Sequence, residues 1–189
     1  MGTIFKIYTN ILRKYPLITS SVQTGALMIT GDVIAQTVIE GNSLKTLNFV
    51  RTTQFGIIGL FFVGPTLTTW YRFLDKSIGS KGTSVVLKKL TLDQCVFAPT
   101  FIVAFLSVLG TVQQHDIKFI TNEIKKNYTD ILINNYKLWP LVQLGNFYIV
   151  PVQYQVLIVQ IVALIWNTYL SWKTQSSSSH KVKELSIQD

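Results

Sequence analysis

The chain has few charged side chains for its length. Of its 189 residues, 14% are charged and 48% are hydrophobic, with a mean hydropathy of +0.35. Soluble domains carry about a quarter charged residues, so this chain has too few to cover a globular surface that faces water. The scarcity of charge therefore predicts an integral membrane protein, in which lipid covers the apolar surface.

Cysteine and histidine are also scarce. The single cysteine, Cys95, excludes an intrachain disulfide, and with only two histidines it cannot supply a zinc site. The phosphate-binding patterns G-x-x-x-x-G-K-[ST] and G-x-G-x-x-G are absent, and no Ser-His-Asp or Cys-His grouping is apparent. We therefore expect no enzymatic activity, no metal and no cofactor.

Positive charge is abundant but scattered. The chain has 17 Lys and Arg against 9 Asp and Glu, a net charge of +8. The basic residues lie between apolar segments, in pairs such as Lys88-Lys89, and not in one basic stripe with interleaved aromatics. Such placement is typical of loops beside anionic head groups, so the expected partner is the lipid bilayer, without direct nucleic-acid binding.

Four stretches are apolar enough to cross a bilayer, which takes about 20 residues per helix. They are roughly 17–39, 52–71, 91–112 and 150–170. A further segment, 131–149, contains Lys137 and Pro140 and could be a span, a re-entrant piece or an interfacial helix. The pattern predicts an all-α, multi-pass transmembrane helical bundle over residues 1–173, followed by a polar, disordered tail over 174–189.

The basic residues favour an even number of spans. Four spans place 11 basic residues on the side that holds both termini and the 72–90 loop, and 6 on the other side. Five spans would place 8 on each side, whereas the positive-inside rule requires an asymmetry. We therefore expect both termini on the same, basic side of the membrane.

The first 31 residues contain no Asp or Glu. Their apolar residues follow a helical stripe made of Ile4, Ile7, Tyr8, Ile11, Leu12 and Tyr15. A basic, acid-free amphipathic helix is typical of a mitochondrial targeting element, and equally of an interfacial helix that leads into the first span. The two interpretations are compatible and both stay open.

The first span has one small and polar face. Asp32 and Gln36 are four residues apart and share this face. Gly31 and Ala35 lie on it as well and would let a neighbouring helix come close. Because a polar side chain in hydrocarbon is costly, the face either packs on a partner helix or lines an aqueous passage.

Small and polar residues also mark the next two spans. Gly56 and Gly59 predict close helix packing in the second span. Asp93 and Gln94 open the third span, where a carboxylate can cap free backbone amides and meet the positive end of the helix dipole. We therefore expect Asp93 to act chiefly as a helix cap.

Amides recur every seven residues near the end of the chain. They are Asn146, Gln153, Gln160 and Asn167. If 146–167 is a near-continuous helix, they form one stripe, although Pro151 could kink it. Such a stripe suits a hydrated lumen with little charge selectivity, and equally interhelical hydrogen bonds. Four amides exceed what one packing register needs, which favours the lumen.

Several short motifs follow one another over residues 13–172. They are Gly31-Asp32-x-x-x-Gln36, Gly64-Pro65 followed by Trp70-Tyr71, Asp93-Gln94-x-x-x-Ala98-Pro99, Leu138-Trp139-Pro140-x-x-Gln143-x-x-Asn146-Phe147, Val150-Pro151, and Trp166-Asn167-x-Tyr169-Leu170-Ser171-Trp172. In combination they resemble the Mpv-seventeen/peroxisomal membrane protein family of small organellar membrane proteins, most closely its animal inner-mitochondrial-membrane branch. One departure is Gln155, where the family usually has arginine. If that arginine pairs with an intramembrane acid, the acid must find another partner here.

The resemblance implies four spans in the mitochondrial inner membrane, with the peroxisomal membrane as the alternative. It also implies a channel-like role, weakly selective for small solutes, that supports membrane-potential and redox homeostasis, nucleotide pools and mitochondrial DNA maintenance. We further expect a homo-oligomer. The candidate pore-lining or interhelical polar residues are Asp32, Gln36, Asp93, Gln94, Gln143, Asn146, Gln153, Gln160 and Asn167. The alternative function is a non-conducting scaffold that binds other membrane proteins through the same faces.

Overall fold

A computed structural model describes residues 3–165 of the chain, and the predicted tail, 174–189, lies outside them. The helices are α1 (Thr3–Lys14), α2 (Pro16–Ile39), α3 (Phe49–Ile78), α4 (Thr83–Val112), α5 (Ile117–Ile149) and α6 (Val152–Ile165). By length and composition, α2, α3 and α4 can each cross a bilayer. The expected all-α membrane bundle is confirmed.

Local sequence sets where the helices begin. Pro16 opens α2, where its missing N–H is not needed for a helical hydrogen bond. The Asn48 side chain caps α3 by accepting a hydrogen bond from the backbone N–H of Arg51 at 3.0 Å. Asp116 caps α5 in the same way, accepting from the N–H of Phe119 at 2.6 Å. Short loops between capped ends let neighbouring helices pack side by side.

Each of the three apolar helices widens into one π-helical turn. These turns are Ala35–Ile39 in α2, Gly59–Val63 in α3 and Asp93–Phe97 in α4. Pro65 and Pro99 follow the last two turns closely. Proline lacks an N–H and crowds the carbonyl four residues earlier, so a wider turn just before it relieves the clash and keeps the helix continuous.

The segment 131–149 is the second half of α5. This helix has 33 residues, contains Pro140 without ending there, and packs antiparallel along α4, with Ile120 against Gly110 and Tyr136 against Gln94. A helix of this length is about 50 Å long, more than the hydrocarbon core of a bilayer. α5 therefore follows α4 from one end of the bundle to the other.

α6 runs in the same direction as α2. Its first turn is held to α1 by a hydrogen bond between the hydroxyls of Thr9 and Tyr154 at 3.2 Å, and Leu164 lies against Gly31 of α2. Helices α2 to α6 thus alternate in direction. The expectation that both termini lie on one side of the membrane stays a prediction, because the end of the chain lies outside the described residues. Lys137, in the middle of the segment 131–149, lies on the exposed face of α5.

α1 packs on the start of the bundle. The Tyr8 hydroxyl donates a hydrogen bond to Gln23 Oε1 at 2.6 Å, and Leu12 is 1% exposed, whereas Ile7 faces outward. Partial burial, with Tyr154 nearby, raises the pKa of Tyr8 above its ordinary value. A helix with one apolar side on the bundle and another open fits the interfacial interpretation, while the targeting role stays a prediction.

The hydrophobic core surrounds the second half of α3. Its buried members are Ile58, Val63, Leu67, Tyr71, Leu74, Val86, Phe147, Val156 and Val159. Within the most apolar window of each helix, 44% of α3 residues are buried but only 11% of α4 residues. α3 is therefore the central helix, and α4 directs apolar surface outward, where a bilayer covers it.

Candidate functional site

The first buried polar group joins α2 to the start of α3, and we call it the Asp32 cluster. It consists of Asp32, Gln36, Arg51 and Thr52, with Glu40 and Asn48 at its edge. Arg51 Nε donates to Asp32 Oδ1 at 2.6 Å, and the Thr52 hydroxyl donates to Asp32 Oδ2, also at 2.6 Å. The Asp32 side chain is only 2% exposed, and the Arg51 guanidinium balances the charge of this buried carboxylate.

Both ends of the Gln36 amide are also used. Gln36 Nε2 donates to Asp32 Oδ2 at 2.7 Å and to Thr52 Oγ1 at 3.0 Å, and its Oε1 accepts from the Asn48 N–H at 2.7 Å. A fully paired network stabilises one arrangement of two helices and leaves no polar group for a solute. The geometry therefore favours packing for Asp32 and Gln36 over an aqueous passage.

Glycines bring the backbones of α2 and α3 into contact, and we call this contact the α2–α3 seam. A Cβ added to Gly59 would lie 2.8 Å from Gly25 Cα, and one added to Gly64 would lie 2.6 Å from Ser21 Cα. Real side chains do not approach a backbone carbon that closely. Only glycine at these positions permits such contact between the two helices.

The other residues predicted for packing lie in different surroundings. Gly56 faces the Ile29 side chain of α2, and Gly31 faces Leu164 of α6. Ala35 begins the π-helical turn of α2. Gly64 was not among the predicted packing residues, although it makes the closest backbone contact, because a lone glycine before proline also reads as a simple turn or kink.

The second buried polar group lies where α3, α4 and α5 meet, and we call it the Asp93 cluster. It consists of Asp93, Gln94, Trp70, Tyr71, Gln143 and Asn146. Asp93 is 2% exposed and accepts hydrogen bonds from Trp70 Nε1 at 2.8 Å, Gln94 Nε2 at 2.8 Å and Gln143 Nε2 at 2.9 Å. All three donors are neutral, unlike the guanidinium that meets Asp32.

The remaining hydrogen bonds of the Asp93 cluster are incomplete. Gln143 Nε2 donates to the Tyr71 hydroxyl at 2.8 Å, and Gln143 Oε1 accepts from Asn146 Nδ2 at 3.0 Å. Gln94 Oε1 and Asn146 Oδ1 are buried and have no hydrogen-bond partner among the described residues. A buried polar atom without a partner is costly, which marks this cluster as more than a packing contact.

The expectation that Asp93 caps a helix is wrong. α4 begins ten residues earlier, at Thr83, and Asp93 lies inside the helix at the start of its π-helical turn. The basic pair Lys88-Lys89 made the preceding segment look like a loop. Lys89 is in fact 2% exposed and donates to Asp75 Oδ1 at 2.8 Å, which pairs its charge and lets the helix continue.

The expected stripe of four amides does not form. Val150 has an extended backbone (φ −92°, ψ 125°), and α5 ends at Ile149, because the proline ring of Pro151 disfavours helical conformation in the residue before it. Asn146 and Gln153 therefore lie on different helices. The premise of a near-continuous helix over 146–167 is incorrect.

The four amides are distributed over separate places. Asn146 belongs to the Asp93 cluster, and Gln153 lines a small cavity of about 140 Å³ near Arg13 and Arg72. Gln160, 7% exposed, lines a larger cavity. Asn167 lies outside the described residues.

The larger cavity, of about 410 Å³, adjoins the Asp93 cluster, and we call it the central cavity. Side chains from all five helices α2 to α6 line it. Its polar lining is Asp93, Gln94, Asn135, Gln143 and Gln160. Its aromatic lining is Tyr71, Phe97, Phe101, Phe105 and Trp139. Apolar walls with a few convergent polar groups are typical of small-molecule sites.

Gln155 occupies the position where the family resemblance implies an arginine. It is 3% exposed, and its Nε2 donates to the Val150 carbonyl oxygen at 3.1 Å, which satisfies a free carbonyl at the end of α5. No ion pair involving Asp93 occurs within residues 3–165. Of the two aspartates that are buried among the described residues, Asp32 has Arg51, and Asp93 has only neutral donors there.

Sequence reasoning missed the partners that distinguish the two clusters. Arg51 was counted only as a loop charge, and Trp70 and Tyr71 appeared only as parts of a motif. Each lies far along the chain from the carboxylate it serves, by 19 residues for Arg51 and 23 for Trp70. Periodicity within one helix cannot reveal such contacts.

Comparison with known proteins gives consistent matches. The sequence profile of the Mpv17 / PMP22 family matches residues 110–171. The mitochondrial inner membrane protein Mpv17 of Danio rerio is 42% identical over 173 residues, 92% of this chain and 98% of the relative. The Homo sapiens protein of that name is 39% identical over 90% of this chain and 97% of the relative. Protein sym-1 of Neurospora crassa is 37% identical over 85% of this chain and 93% of the relative.

No solved structure matches the chain. The relatives nevertheless cover nearly all of it at about 40% identity, and those from animals are named for the mitochondrial inner membrane. The apolar helices α2, α3 and α4 suit that location. This chain is therefore a mitochondrial inner-membrane protein, and it belongs to the Mpv17/PMP22 family.

Proposed function

We propose that the chain is a channel-like protein that passes small solutes, with weak selectivity, through the central cavity. The observation that supports this proposal most directly is the cavity itself. It is about 410 Å³ in volume and is lined by helices α2 to α6, with Asp93, Gln94 and Gln160 among its polar groups. Polar residues at membrane depth are costly unless they face water or a partner, and a solute path is one use that offsets this cost.

The physiological role that accompanies this proposal is support of membrane potential, redox balance, nucleotide pools and mitochondrial DNA maintenance. It comes from the family resemblance. The proposal contains no catalytic step, and it includes a homo-oligomer, for which the outward apolar face of α4 would provide contact surface in the bilayer.

Conductance across planar lipid bilayers tests the proposal. Purified full-length protein should produce discrete currents in potassium chloride that empty bilayers lack. Ala163 lines the central cavity, so Ala163→Phe should reduce the current several-fold by filling that space. Val96→Phe adds a similar ring on the outer face of α4, where Val96 is 50% exposed, and should leave the current unchanged.

The outcomes separate clearly. Absence of any current from clean preparations over a range of lipids would show that the channel proposal is wrong. Equal currents in both variants would show that solutes do not pass through the central cavity.

A non-conducting scaffold is the second candidate, and the exposed face of α4 favours it. Leu87, Val96 and Val103 of α4 are among the apolar side chains that the described part of the bundle leaves exposed. A scaffold predicts a stoichiometric partner of different sequence after extraction in mild detergent. Recovery of the chain alone, with conductance intact in liposomes, would exclude it.

A further inference from the structure

The charge of Asp93 is not balanced within the bundle. Within residues 3–165, three half-buried or buried aspartates lie between helices, and two of them meet cations: Asp32 meets Arg51 at 2.6 Å, and Asp75 meets Lys89 at 2.8 Å. Over the whole residue, Asp93 is the most deeply buried of the three, at 2% exposed against 6% for Asp32, and it lines the central cavity. Its partners are nevertheless an indole and two amides. A buried carboxylate without a cation is costly, and a cationic ligand would offset that cost.

The same cavity has a surplus of hydrogen-bond acceptors. Gln94 Oε1 and Asn135 Oδ1 are buried and have no donor within the described part of the chain, and both residues line the cavity. Gln94 is 8% exposed, so its unpaired oxygen is enclosed by the protein. Unpaired acceptors that line the same cavity as a carboxylate match a ligand that donates hydrogen bonds and mismatch an anion.

An aromatic wall completes the cavity. Phe97 stacks on Trp70 at 4.7 Å between ring centroids, on Phe101 at 5.1 Å, and Phe101 continues to Phe105 at 6.3 Å. Phe97, Phe101 and Phe105 all line the cavity. Aromatic faces attract cations through their quadrupole and pack against apolar groups, so one wall can hold both parts of an amphiphilic cation.

We infer that the central cavity binds a primary organic ammonium ion with an apolar or aromatic body. The ammonium group lies at Asp93 and donates to the oxygens of Gln94 and Asn135, and the body packs along Phe97, Phe101 and Phe105. This inference rests on the proposed function in that it names the class of solute that the cavity retains. Binding can nevertheless be measured without transport.

The test uses the full-length protein in lipid nanodiscs and titration calorimetry. The probe is 1-naphthylmethylammonium, and its uncharged and anionic counterparts are 1-naphthalenemethanol and 1-naphthoate. Empty nanodiscs measure the partition of each compound into lipid, which is subtracted. We expect saturable binding of the ammonium, at least about tenfold tighter than the alcohol, and no binding of the carboxylate.

Variants assign the binding to the cavity. Asp93→Asn should reduce the affinity for the ammonium ion to that for the alcohol, and it should leave the affinity for the alcohol unchanged. Glu123→Gln removes the same charge from an exposed position on α5, where Glu123 accepts a hydrogen bond from Asn127, and should change neither affinity. If Asp93→Asn does not fold, Phe101→Leu is the second variant. It keeps the charge of Asp93 and should reduce the affinity for the ammonium ion about threefold to tenfold. Phe49→Leu, at an exposed phenylalanine, is its control.

Bilayer conductance of the same preparation distinguishes the two proposals. Currents without ammonium binding, or equal affinity for the ammonium and the alcohol, overturn this inference and leave the channel proposal standing. Selective ammonium binding without currents overturns the channel proposal and supports the binding site. A preference for 1-naphthoate overturns the inference outright, because it requires a positive site where Asp93 lies.

Discussion

The Asp32 cluster and the Asp93 cluster begin from similar residues and reach different states. Each has a buried aspartate with glutamine nearby, and each lies at a π-helical turn of an apolar helix. Around Asp32, a guanidinium and neutral donors pair both carboxylate oxygens and both ends of Gln36. Around Asp93, every donor that the described residues supply is neutral, and the side-chain oxygen of Gln94 has no partner among them. The presence or absence of one cation separates a structural cluster from a candidate binding site.

Helix packing beside the two clusters also differs. Beside the Asp32 cluster, the α2–α3 seam brings Gly59 and Gly64 into backbone contact with the opposite helix. Beside the Asp93 cluster, larger aromatic side chains keep the helices apart and leave a cavity of about 410 Å³. Small residues at an interface let helices approach closely, and bulky ones hold them apart. The following variants test this contrast.

The largest effect is expected from Arg51→Leu. It would leave the nearly buried Asp32 without its cation, and breaking a buried ion pair costs about 3–5 kcal/mol. Since the Arg51 side chain is 32% exposed, we expect a loss near the lower end of that range. The free energy of unfolding in mixed detergent and dodecyl sulfate measures it. Arg72→Leu removes an exposed arginine that has no ion pair among the described residues, so an equal loss there would contradict the role of Arg51.

Gly64→Ala should come next. The new methyl group would meet Ser21 Cα at 2.6 Å, a backbone contact that cannot rotate away, and overpacking of this kind costs about 1–3 kcal/mol. Gly145→Ala is the matched control, because nothing lies within 4 Å of its added Cβ. In a helix, alanine there should raise the free energy of unfolding by up to about 1 kcal/mol. Destabilisation of similar size by both substitutions would exclude a specific α2–α3 seam.

Trp70→Phe should have a moderate effect. It keeps an aromatic ring on Phe97 but removes the N–H that Asp93 Oδ1 accepts at 2.8 Å, and an unpaired buried acceptor costs about 1–3 kcal/mol. Trp139→Phe is the control, since the Trp139 indole makes no hydrogen bond in the described structure. Unfolding measured as for Arg51→Leu should separate the two. No difference between them would mean that the indole N–H does not stabilise Asp93.

The smallest effect on stability is expected from Asp93→Asn. It removes a charge that has no cationic partner, so no opposite charge becomes unpaired, and the change should be within about 1 kcal/mol. Asp32→Asn, the same substitution in the other cluster, weakens the ion pair with Arg51 and should cost more, about 2 kcal/mol. The difference between the two free energies of unfolding is the measurement. Equal losses would remove the contrast between the clusters.

Much of the fold follows from local sequence. The apolar stretches 17–39, 52–71 and 91–112 each lie within one helix, because a continuous apolar run in lipid must satisfy its backbone hydrogen bonds internally. The boundary of α4 was harder to predict. A lysine pair normally indicates a loop, and only the distant Asp75 makes it possible for Lys89 to be buried in a helix.

The candidate site was only partly predictable. Asp93, Gln94, Gln143 and Gln160 could be singled out because polar side chains in apolar segments are costly. Their grouping around one cavity could not be predicted, because it depends on how α3, α4, α5 and α6 pack together. The amide stripe failed for a local reason, the break that Pro151 makes between α5 and α6.

The sequence by itself determined that this protein is a membrane bundle with polar residues on its helices, since composition and hydropathy decide which solvent each segment tolerates. Tertiary structure decided which carboxylate is neutralised. Asp32 and Asp93 look alike in the chain, and only the packing of α2 against α3 brings Arg51 to the first. Charge pairing depends on distance in space. Arg51 and Asp32 are 19 residues apart, on two helices that run in opposite directions, so the residue pattern of either helix alone does not predict their contact.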